Sequence, residues 1–104
     1  MTTTAEQLFP QVEAAASALA KLSVKEREQK PHKQFAENYN NLLATARETM
    51  PSIDPRRWPP TIEIHTPAAG LPSAKATYVE FHSYYKQISA ILAEGITPHW
   101  GSVG

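Results

Sequence analysis

The chain has 104 residues, 41% of them apolar and 19% charged, with ten basic and ten acidic side chains and no cysteine. That length holds one small core, and that composition excludes a disordered chain; charges that cancel in each half, six against six in residues 1–50 and four against four in 51–104, provide no global field for a polyanion. Without cysteine there is neither a disulfide framework nor a thiolate zinc site, so a reducing, cytoplasmic setting is the expectation.

The N-terminal stretch carries Glu6 and Glu13 but no early Lys or Arg, and its apolar residues are spaced, unlike a secretory leader. No run of eighteen apolar residues occurs, so no membrane-spanning helix is expected. Thr4 and Gln7 have capping-box spacing, and Leu8, Val12, Ala15, Leu19 and Leu22 recur at steps of four and three. This period predicts a helix over about 4–22. Pro10 is tolerable near its first turn. Ser23 and Glu26 repeat the capping-box spacing, so a break near 23 is the alternative to one at Pro31, the favoured hinge.

Phe35, Tyr39, Leu42, Ala46 and Met50, widened by Leu43, predict a second helix over about 32–50, which Pro51 ends. On one straight helix the two stripes would be rotated by roughly 140°, so a turn between residues 23 and 33 folds them together. Residues 51–72 read as a Pro-rich crossover. Inside it "TIEIHT", residues 61–66, alternates like a half-buried strand but has no evident second strand, so an isolated extended arm is expected. With Ser73 as N-cap, Tyr78, Phe81, Tyr85, Ile88 and Leu92 predict a third helix over about 74–94, closed by Gly95 in a left-handed conformation. Residues 96–104 read as a loose tail. The expected fold is all-α: one domain over 1–104, a small antiparallel three-helix bundle. Ala15 and Ala46 make its seams lean, so either the extended arm or a second copy, in a homodimer of four or six helices, is expected to add to the core.

No G-x-S-x-G, P-loop or G-x-G-x-x-G is present, and no serine has a base at motif spacing, so neither an enzyme nor a cofactor site is expected. The four histidines lack metal-site spacing: Glu63 shares a strand face with His65, but Glu80 and His82 lie about 200° apart around a helix. Residues 21–33 hold five basic groups interleaved with Glu26 and Glu28, a solvated turn rather than a nucleic-acid surface. The segment 51–60, "PSIDPRRWPP", offers Arg56 and Arg57 as forked donors for an anion beside Trp58; its four prolines better suit a stiff connector in which Trp58 plugs the end of the bundle and the arginines stay in water. The surplus of aromatic side chains points elsewhere. Tyr78, Tyr84, Tyr85 and Ile91 on the last helix, together with Trp58, form the expected contact face. The leading expectation is a non-enzymatic helical protein-protein interaction or self-association module. The alternative is a small-ligand or anion-binding protein using Arg56 and Arg57.

Overall fold

The computed structural model describes residues 4–96. Most of them are helical: α1 (Ala5–Ala20), the one-turn α2 (Val24–Arg27), α3 (Lys33–Thr49) and α4 (Tyr78–Glu94), with a 3-10 turn at Pro55–Arg57 and two short strands, β1 (Ile64–His65) and β2 (Ser73–Ala74). Among the described residues no helix is long and apolar enough to cross a membrane. The tail expected over 96–104 lies, beyond Ile96, outside the described residues.

Local chemistry sets the helix starts. The Thr4 hydroxyl accepts from Gln7 N–H while Gln7 Oε1 accepts from Thr4 N–H, and Ser23 and Glu26 do the same for α2, so each box satisfies two otherwise orphaned donors. Arg27 then closes the turn, its guanidinium donating to the carbonyls of Leu22 at 3.0 Å and Ala20 at 2.6 Å. A cation at the carbonyl end of α1 is also electrostatically favourable. Pro10, exposed, is the sixth residue of α1 and so lies past its first turn, where its missing N–H leaves the carbonyl of exposed Glu6 without the usual intrahelical donor.

Two expectations about the last helix are corrected. Ser73 is not its cap: β2 pairs antiparallel with β1, Ile64 opposite Ala74 and His65 opposite Ser73, and α4 begins at Tyr78 behind a Thr77–Glu80 capping box. The extended arm is therefore not isolated. Gly95 is right-handed, with φ −87° and ψ −2°. Its function is close approach: a Cβ there would stand 2.9 Å from Met50 Cε and 3.5 Å from Ala5 Cβ.

Those contacts give the helix directions. The start of α1 meets the ends of α3 and α4 at Ala5, Met50 and Gly95, while Phe35, early in α3, stacks edge-on against Tyr78 and Phe81, early in α4. So α1 runs against both other long helices, and α3 and α4 run together rather than antiparallel. A same-direction pair needs a connection as long as the helices. Residues 51–77 supply it, returning along the α3–α4 flank as a strap. The core combines Leu8, Val12, Ala16 and Leu19 of α1, Ala36, Tyr39, Leu43 and Ala46 of α3, and Phe81, Tyr85, Ile88 and Leu92 of α4, with Trp58, Ile62 and Ala74 from the strap. On α1 Ala16 is buried where Ala15 was expected, and on α3 Leu43 is buried while Leu42, expected beside it, is not fully so. Each face is turned slightly from the stripe its sequence suggests, which leaves Leu42 half-buried.

Candidate functional site

The strap decides the fate of the expected contact face. Tyr39 Oη donates to the Pro60 carbonyl at 2.8 Å, and the Asn40 carboxamide pairs with Ile62 like a strand neighbour, accepting from its N–H at 2.8 Å and donating to its C=O at 3.0 Å. On the other side Gln87 Nε2 donates to the Arg57 carbonyl at 2.6 Å, and the Arg57 guanidinium forks onto the Glu94 carboxylate. Residues 87, 91 and 94 share one helical face, so the strap lies over Ile91.

Ile91 is 2% exposed and Trp58 7%, and Tyr85, packed edge-on against the Phe35 and Tyr39 rings of α3, is 3% exposed. These three are corrected from contact residues to core: no partner reaches them while the strap is seated. Tyr78 and Tyr84 are half-buried, and both belong to an aromatic cluster that Phe35 and Tyr39 knit together, with centroids 5.3 Å apart for Phe35–Tyr78 and 6.0 Å for Tyr39–Tyr84. The Phe35–Tyr78 contact is edge-to-face, an arrangement that stabilises packed rings, and the Tyr39–Tyr84 rings are tilted at 39°. Burial raises the Tyr39 hydroxyl well above its ordinary range and pushes Tyr85 up to about 12, because a phenolate there would be stripped of water.

The arginines of the alternative reading are both engaged. Arg56 binds Asp54 with Nη2 at 3.0 Å and Nε at 3.3 Å, and these bonds hold the Asp54 carboxyl below its usual range. Arg57 does the same to Glu94. An incoming anion would have to displace a carboxylate from either fork. A cleft of about 260 Å³ does open beside Trp58, yet the arginine lining it, with Met50, Ile53 and Pro55, is Arg47.

The carboxylates once paired with histidines are also committed. Glu63 takes Lys75 Nζ at 3.1 Å, and Glu80 completes the cap at Thr77. Among the described residues no three His, Cys, Asp or Glu side chains gather as a metal cluster would.

A further opening lies on a flank that the strap does not cover. Between α1 and α3 lies a groove of about 410 Å³ lined by Leu8, Gln11, Asn38, Asn41, Leu42 and Thr45. The helices place these residues in two facing rows: Leu8 and Gln11 one turn apart on α1, and Asn38, Asn41, Leu42 and Thr45 at helical steps of three and four on α3. No charged side chain lines it. Sequence reasoning assigned Leu42 to the core and so passed over this surface. The available signal was the amide-rich run at 38, 40 and 41, of which Asn40 alone turns to the strap. No protein-family model, no curated protein and no solved structure matches this chain.

Proposed function

We propose that this chain is a non-enzymatic helical module that acts by self-association, and that the α1–α3 groove receives a second copy. The observation that supports the reading is the groove's chemistry: an apolar floor of Leu8 and Leu42 bordered by the neutral polar groups of Gln11, Asn38, Asn41 and Thr45. A carboxamide donates and accepts at once, so such a surface is complementary to itself across a two-fold axis, where every residue meets the same face of its partner. Charged borders would repel their own copy. The zero net charge of the whole chain removes long-range repulsion as well. In this reading three lean helices form a bundle whose α3–α4 flank is covered by the strap and whose α1–α3 flank is covered by the second copy, giving six long helices in all.

Sedimentation velocity over a wide concentration range tests it. The wild-type mass should rise from 11.5 kDa toward twice that value, and Asn41→Lys should hold it at the monomer while leaving the melting temperature nearly unchanged, since Asn41 is exposed. Mixing Asn41→Lys with Asn41→Glu should restore the dimer. A wild-type monomer at every concentration, or a dimer indifferent to these changes, would overturn the reading.

A further inference from the structure

The strap creates a second juxtaposition that no spacing in the sequence announces. The β1–β2 ladder sets His65 opposite Ser73, and an isolated antiparallel bridge sets His32 opposite the same serine from the other side. Directly opposed residues of antiparallel neighbours project from one face, so His32, Ser73 and His65 form a row across this small sheet. The row faces outward: both histidines are exposed, whereas Ala74, next along β2 and pointing the other way, is fully buried.

Backbone hydrogen bonds fix the spacing. Ala74 N–H donates to the Pro31 carbonyl at 2.8 Å, and Lys75 N–H donates to the Glu63 carbonyl at 2.9 Å. These make the His32–Ser73 step the narrow type and the His65–Ser73 step the wide type, so the two histidine Cα atoms stand about 10 Å apart. Half that span is within reach of an imidazole side chain extended by a metal–nitrogen bond of about 2 Å. Neither imidazole has a hydrogen bond or ion pair among the described residues, and the carboxylate on the same face, Glu63, is held by Lys75.

We propose that His32 and His65 chelate one divalent transition-metal ion above Ser73, with the serine hydroxyl or water filling further positions. Two neutral nitrogens and no free carboxylate select borderline ions such as Cu(II), Ni(II) or Zn(II) over Mg²⁺ or Ca²⁺. The ion would join the residue capping α3 to the strap strand, so binding would stabilise the folded chain.

The test is calorimetric titration of the full chain, free of any histidine tag, with NiCl₂ and with CuCl₂. One ion should bind per chain, with a melting temperature that rises with metal concentration. His32→Gln and His65→Gln should each weaken binding by about a hundredfold, because either one turns a chelate into a single ligand, while the double variant His82→Gln/His99→Gln should bind as the wild type does. Circular dichroism checks that each variant is folded; should either glutamine variant fail to fold, His32→Asn or His65→Asn replaces it. The proposal is overturned if the wild type shows no saturable binding, if binding survives loss of His32 or of His65, or if it disappears with His82 and His99.

Discussion

Asn40 is the residue on which the strap's register depends, and its removal has a size that follows from the geometry. Asn40→Ala deletes the bonds to Ile62 N–H and C=O at 2.8 and 3.0 Å, each contributing about 1 kcal/mol net. Ile62 is 8% exposed, so its backbone groups would be only partly rehydrated, which adds about 1 kcal/mol. Alanine's better helix propensity offsets about 0.6 kcal/mol of this. The net loss is about 2 to 3 kcal/mol, a fall of roughly 10 to 20 °C in melting temperature for a domain of this size. The measurement is urea and thermal unfolding in a Trp100→Phe background, where Trp58 is the remaining tryptophan, so its emission reports whether the strap is seated. Trp58 emission should shift to the red at lower urea than the loss of helical ellipticity, because the strap peels before the helices separate. A loss below about 0.5 kcal/mol with Trp58 emission unchanged would show that the carboxamide does not hold the strap.

Alkaline pH should also destabilise the fold. The Tyr85 pKa is raised from 10.0 to about 12 in the folded chain, so folding favours the protonated form; the stabilisation is complete below pH 10 and is lost as pH rises through about 12, by up to about 3 kcal/mol. Tyr39 acts in the same direction, and Tyr85→Phe should flatten the dependence of the urea midpoint on pH. Thr77→Ala should cost about 1 kcal/mol, whereas Ser73→Ala should change stability by under about 0.5 kcal/mol; the reverse order would return the cap of α4 to Ser73.

The helices were legible because their causes are local. Thr4 with Gln7 and Ser23 with Glu26 are capping boxes in sequence and in space, and Phe81, Tyr85, Ile88 and Leu92 recur at the spacing that buries them. The Thr77–Glu80 box has the same local spacing, but Ser73 stands four residues ahead of it as a capping residue before the same stripe. What resisted reading is everything set by the strap. Two-residue strands have no periodicity of their own, and nothing near Ser73 specifies His65 on one side and His32 on the other. Ile91 illustrates the consequence for the site. Its spacing placed it on the shoulder of α4, where a partner would find it, but the Arg57 anchors at Gln87 and Glu94 draw the chain's own crossover over that shoulder.

The same asymmetry separates the two proposed surfaces. The α1–α3 groove is lined from α1, whose start a capping box fixes, and from α3, and no residue of the 51–77 strap lines it. The His32–Ser73–His65 row exists only while β1 and β2 are held in register, which depends on Asn40 and on the Ala74 and Lys75 backbone bonds. Loosening the strap should therefore affect them unequally: Asn40→Ala, studied below its melting temperature, should weaken Ni(II) binding by several-fold and leave the sedimentation of the dimer unchanged. Equal losses in both would mean that the helices cannot hold the groove without the strap, and the division of the molecule into a self-supporting face and a register-dependent one would fail.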